Sequence, residues 1–257
     1  MWMQFVCKFL LSLGVVFFAA GNSFAKTKEI LKKETANKDA VKKDAAKKES
    51  VQKETTKKED LTELNAVIKK YRSAQLVKMN VVKTVKSELM GKETKFNGFI
   101  YYAEGKFRWD NDTPEKTQLI FDGQTIWNVQ HPPAELGGPL QVAKSKIDKN
   151  TKKQILVSTL ISTPNVSENF KIKNKNKEKT KDNGVVTTFE LSPKSSELGI
   201  SNLKLKTTDK KAISEISYKD DVGNVTTIQF QNIEFSKKAQ SNLFKYVPPK
   251  GAQVTNI

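Results

Sequence analysis

The sequence predicts a mainly β fold with few helices, in which a sheet of many short antiparallel strands must curl or close. Three observations carry this. From Val77 onward apolar residues recur with a period of two, as in a half-buried strand. Turn dipeptides Asp122-Gly123, Asn183-Gly184 and Gly223-Asn224 separate the alternating runs and suit tight hairpins. Two stretches alone carry helical character, one beginning at Leu61 and one over Gln154 to Ile161.

The chain has 257 residues, 37% of them hydrophobic, which allows one compact domain plus appendages. No apolar run approaches the ~20 residues of a bilayer-spanning helix, so a polytopic membrane protein is excluded. One Cys and one His leave little material for soft-metal sites or nucleophile-plus-imidazole chemistry, and no metal site or cofactor is expected.

Residues 1–25 read as a cleaved signal peptide. Lys8 precedes an apolar stretch from Phe9 to Ala20, and Ser23-Phe24-Ala25 supplies small residues before a cut that leaves Lys26 as the new N-terminus. Cys7 leaves with the signal, so neither a disulfide nor a lipidated N-terminal cysteine is expected in the exported chain. Residues 26–60 then repeat a Lys-acid pair every fifth residue, from Lys28-Glu29 to Lys58-Glu59. Five residues of helix advance about 500°, so successive pairs rotate and no apolar stripe forms. The segment reads as a solvated linker, either disordered or a lone frayed helix. A tether to anionic envelope surfaces is its functional alternative.

The folded domain is expected over residues 61–257. Leu61, Leu64, Val67, Ile68 and Tyr71 form one apolar helix face. Val77, Met79, Val81 and Val85 then line one side of a strand, with Val82 and Lys83 breaking the pattern. Further strands are expected near 94–103, 105–110, 117–122, 124–130, 140–147, 168–174, 184–192, 200–207, 212–219, 224–233 and 243–247. Phe99 with Tyr101, Phe107 with Trp109, and Trp127 with Val129 each share a face of their strand, so three strands offer an aromatic face. That face is either plain core or the lining of an apolar hollow under the few helices available to cover it.

The run Gly105-Lys106-Phe107-Arg108-Trp109, Pro114, then Asp122-Gly123-Gln124-Thr125-Ile126-Trp127 resembles the signature of the periplasmic outer-membrane lipoprotein carriers, the LolA family. Leu140-Gln141-Val142, Phe189-Glu190-Leu191-Ser192-Pro193-Lys194 and Phe244-Lys245-Tyr246-Val247-Pro248-Pro249-Lys250-Gly251 resemble later segments of that family in the same order. The resemblance implies an incomplete curved antiparallel β-barrel, a half-barrel, covered by a short helical lid with an apolar cavity between. It implies a non-enzymatic, monomeric periplasmic carrier. Such a protein takes acylated lipoproteins from an ATP-driven inner-membrane transporter, shields their acyl chains and hands them to an outer-membrane receptor. Phe99, Tyr101, Phe107, Trp109, Trp127 and Val129 are the expected acyl-chain contacts. Where better-studied members carry a basic residue that ties the lid shut, this chain has Ala103-Glu104.

Other chemistry finds no support in the residues. His131 sits in a turn-rich stretch, Asp110/Asp112 and Asp220/Asp221 fall in turn-like sequence, and neither a Gly-x-Ser-x-Gly elbow nor a phosphate loop occurs. The net charge of +17 falls to +12 on residues 61–257 once Lys8 and the linker's excess of four are removed. A basic, aromatic surface suits single-stranded nucleic acid, but export makes anionic envelope surfaces the better partners. Two other functions stay open: a ligand-sensing regulatory domain on the same half-barrel, and a structural envelope protein that binds anionic surfaces.

Overall fold

The computed structural model of the protein describes residues 60–133, 135, 137–147, 155–181 and 184–257. The expected signal peptide, all of the expected linker except Asp60, and the turn residue Asn183 lie outside them. Twelve strands form one sheet: β1 (Leu76–Lys86), β2 (Glu93–Ala103), β3 (Lys106–Thr113), β4 (Thr117–Phe121), β5 (Thr125–Gln130), β6 (Gln141–Lys146), β7 (Phe170–Thr180), β8 (Gly184–Pro193), β9 (Ile200–Thr208), β10 (Ile213–Asp220), β11 (Val225–Ser236) and β12 (Gln253–Asn256). Residues 60–72 form helix α1; α2 (Leu156–Ser162) and α3 (Val166–Asn169) follow β6.

The strand order is β12-β6-β5-β4-β3-β2-β1-β11-β10-β9-β8-β7. β1 therefore sits mid-sheet, with β2 to β6 stepping away on one side and β11 back to β7 on the other. Pairs are antiparallel except β12 on β6, which is parallel. The end strands β7 and β12 do not pair with each other, so the curved sheet stays open. Register shifts between Lys78 and Asn80 in β1, and between Ile172 and Asn174 in β7, insert the extra residues that bend such a sheet.

Helix α1 presents Leu64, Val67, Ile68 and Tyr71, all at most 2% exposed, to one face of the sheet. Helix α2 is buried nearly all round, through Leu156, Val157, Ser158, Leu160 and Ile161, as expected of an apolar helix enclosed by its neighbours. Both join one continuous core with Val77, Met79, Val81, Ile100, Tyr102, Phe107, Trp109, Phe189, Leu205, Ile216 and Ile228. Among the described residues, no helix is long and apolar enough to cross a membrane.

Two expectations about elements need correction. Residues 243–247 are not a strand: Ser241–Phe244 form a 3₁₀ turn, and the last strand is β12. Phe244 and Tyr246 alternate because the segment lies across the outer face of β3 to β5. There Arg108 Nη1 donates to the Leu243 carbonyl at 3.1 Å and Tyr246 packs on Trp127 at 5.4 Å. Alternation here marks one buried side of an unpaired segment. Helix α3 was also unforeseen; Asn165 caps it by accepting from Ser167 N, and Asn65 of α1 accepts from Val166 N at 3.0 Å. Four residues are too short to show a helical period.

Candidate functional site

The face covered by α1 and α2 follows from register. Opposite residues in antiparallel strands share a face, so Val77, Met79, Val81 and Lys83 of β1 stand beside Tyr102, Ile100, Gly98 and Phe96 of β2. Ile100 and Tyr102 in turn stand beside Trp109 and Phe107 of β3, and those beside Leu119 and Phe121 of β4. Gly98 is required on this face, since a Cβ there would collide with the Asp110 carbonyl of β3.

The expected single aromatic face does not form. Phe107 and Trp109 lie under the helices, at 0% and 7% exposure. Phe99 pairs with Asp110, Tyr101 with Arg108, Trp127 with Ile120, and Val129 with Gln118, which puts Phe99, Tyr101, Trp127 and Val129 on the opposite, outer face. Each strand's alternation is as expected, but parity inside one strand says nothing about which face its neighbour presents. The outer face has its own apolar patch, in which Ile120, Val129, Val142 and Phe244 are buried. Arg108 supports it by donating through Nε to both Asp110 oxygens at 2.9 Å.

The inner face is largely filled by the helices. What remains open is a cavity of about 280 Å³ lined by Lys83, Val85, Trp109, Leu156, Val157, Tyr218, Asp220, Thr226 and Ile228. That is near the lower end of the ~300–1,000 Å³ usual for small-molecule sites. A larger surface hollow of about 820 Å³ mixes Lys173, Glu190, Lys204 and Lys219 with Leu191, Ile200, Leu203 and Val225, and Tyr218 borders both spaces. Lys83, Tyr218, Leu156, Val157 and Ile228 were not foreseen as site residues. For Lys83 the signal was available, as a charged residue at an apolar position of the β1 alternation.

Polar ties hold the cover at its ends. The Tyr102 hydroxyl reaches the Ile161 carbonyl at 3.5 Å and Ser162 Oγ at 3.4 Å, both long contacts at the C-terminal end of α2. Glu104 accepts from Arg72 Nη2 of α1 at 3.4 Å, so the cation of that pair stands on the helix and the carboxylate at the end of β2. At the other end of α1, Lys175 Nζ of β7 meets Asp60 Oδ1 and Glu63 Oε2, each at 2.7 Å. Burial acts to raise the Glu63 pKa, but hydrogen bonds from Lys175 and Lys177 outweigh it and hold the carboxyl below its ordinary value. Among the described residues, no cluster of three or more metal-binding side chains occurs.

A family model described as outer membrane lipoprotein carrier protein LolA matches residues 72–247. An outer-membrane lipoprotein carrier protein of Legionella pneumophila (strain Corby) is 24% identical over 202 residues, spanning 75% of this chain and 89% of the relative. One of Pseudomonas entomophila (strain L48) is 28% identical over 152 residues, 58% of this chain and 66% of the relative. Among solved structures, a putative outer membrane lipoprotein-sorting protein domain from Vibrio parahaemolyticus covers 72% of this chain and 96% of its own at 12% identity, TM-score 0.40. A LolA superfamily protein from Nitrosomonas europaea covers 72% and 97% at 10% identity, TM-score 0.41.

Proposed function

Because the chain belongs to the outer membrane lipoprotein carrier family, LolA, a family of carriers and not of enzymes, we propose that it works in the periplasm. There it shields the acyl chains of lipoproteins and moves them from the inner to the outer membrane. In this reading an ATP-driven transporter loads it, and an outer-membrane receptor or the membrane itself unloads it. The observation that carries the proposal is the apolar interface between α2 and the sheet: Leu156, Val157, Leu160 and Ile161 lie on Trp109 and its neighbours, closed off by long Tyr102 contacts.

Such an interface suits exchange. Each methylene withdrawn from water gains roughly 0.8 kcal/mol whether it belongs to a leucine or an acyl chain, so cargo that displaces the helix replaces one apolar contact with another. Loading then needs no large net driving force, and unloading can proceed to any partner that covers the chains better. The cavity of about 280 Å³ admits the start of a chain; multiply acylated cargo requires α2 to move aside. Of the six expected contacts, Phe107 and Trp109 are the two on the inner face that such chains would meet.

Trp109→Glu tests the reading, because Trp109 borders the cavity whereas Phe107 is fully enclosed. A carboxylate placed there is disfavoured beside acyl chains. Mass spectrometry of the protein purified from the periplasm should find acylated protein bound to the wild type and at least tenfold less on Trp109→Glu, with both chains still folded by circular dichroism. Wild type free of acylated material, or equal retention by the variant, would overturn the carrier role. Cargo that is held but never released to outer membranes would favour the sensor reading.

A further inference from the structure

We propose that the cavity beside Trp109 binds the anionic head of a single-chain amphiphile, a fatty carboxylate or a lysophospholipid phosphate, with Lys83 as the cation that pairs it. This rests on the carrier reading for the acyl chain and adds the chemistry of the group at its end. Lys83 stands where β1 otherwise turns valines inward: Val81 and Val85 flank it on the same face, while Lys78 and Lys86 point the other way. Its Nζ lies 5.2 Å from the Phe96 ring centroid and 5.3 Å from that of Trp109, a pairing that steadies an ammonium without neutralising it.

Among the described residues, no carboxylate is within ion-pair reach of Lys83. Asp220 also lines the cavity, but it is engaged in its own hairpin, accepting from Val222 N, Asn224 N and Asn224 Nδ2. Burial lowers the Lys83 pKa, as expected of a cation short of partners. A second unmet donor lies at the same place: Trp109 is 7% exposed and its indole N–H has no acceptor. A buried donor without a partner is costly and uncommon. Two donors with no acceptor, beside a wall of Val85, Leu156, Val157 and Ile228, match a ligand that is negative at one end and apolar along its length. An uncharged acyl chain would leave both donors unmet.

Calorimetric titration of the purified protein with hexadecanoate, 1-hexadecanoyl lysophosphatidate and hexadecanol compares one chain under three heads; acetate and inorganic phosphate serve as heads without a chain. One or both anionic amphiphiles should bind at least about tenfold more tightly than hexadecanol, the ratio expected of one charge-assisted hydrogen bond. Which of the two prefers the site distinguishes carboxylate from phosphate. Lys83→Met should abolish that preference, so that charged and uncharged chains bind alike, and its thermal midpoint should not fall. Lys83→Arg should retain the preference. Equal binding of charged and uncharged chains overturns the head assignment and leaves the carrier reading intact. Binding of acetate or phosphate as tight as that of the amphiphiles also overturns it. Failure of every chain to bind the folded protein defeats both.

Discussion

Tyr71 shows how one side chain joins the helix to the sheet. It closes the apolar stripe of α1, packs edge-on against Phe235 at 5.1 Å, and its hydroxyl accepts from Ile213 N of β10 at 2.8 Å. Burial pushes its phenol pKa well above the ordinary value, so it stays a neutral acceptor throughout the physiological range. The helical spacing 64-67-68-71 was readable as a buried face, but the hydroxyl's partner lies 142 residues away in sequence. Tyr71→Phe keeps the packing and leaves the Ile213 N–H unmet, which costs about 1–3 kcal/mol. Thermal denaturation should register a fall of several degrees, and an unchanged midpoint would show that water or another acceptor satisfies Ile213.

At the scale of elements, β7 illustrates what a charged run can do. Its alternating lysines resist edge-to-edge pairing, and it is an end strand of the sheet. Yet Lys175 and Lys177 also turn towards α1 and hold Glu63, with Lys175 reaching Asp60 as well. The Glu63 pKa is lowered in the folded protein, so its contribution to stability is present above the unfolded value of about 4.3 and disappears as pH falls through the lower folded value. Lys175, whose pKa is raised because its bonds to Asp60 and Glu63 outweigh burial, keeps its contribution below about pH 10 and loses it at higher pH. Melting curves should therefore show Glu63→Gln less stable than wild type at pH 7, with the gap closing as pH falls below the unfolded value and through the lower folded one. A gap that persists in acid would assign the loss to packing instead of charge.

Considered whole, the molecule places β1 at the centre of an open sheet and covers each face with a different part of the chain: α1 and α2 on the inner face, the segment after β11 on the outer. The Lys-acid repeat has no face to bury, and the described core is complete without it. Removing residues 26–55, which stops short of Asp60, from a chain of residues 26–257 should thus leave its thermal midpoint unchanged to within about a degree. A large loss would show that the repeat packs on the sheet.

The sequence by itself determined the fold class, nearly every strand, the two main helices and the hairpins, because local periodicity and turn chemistry suffice for these. The ordered motifs from Gly105 to Gly251 likewise carried the family. Which aromatics share a face was decided only by the tertiary structure. Phe99 and Phe107 obey the same alternation, and the register across β2 and β3 sends one outward and the other under the helices. Lys83 makes the same point in reverse. It read as a mismatch in a strand pattern, and became a candidate binding group once β2, β3 and α2 had assembled around it, because the environment of a charge depends on neighbours that the local pattern does not contain.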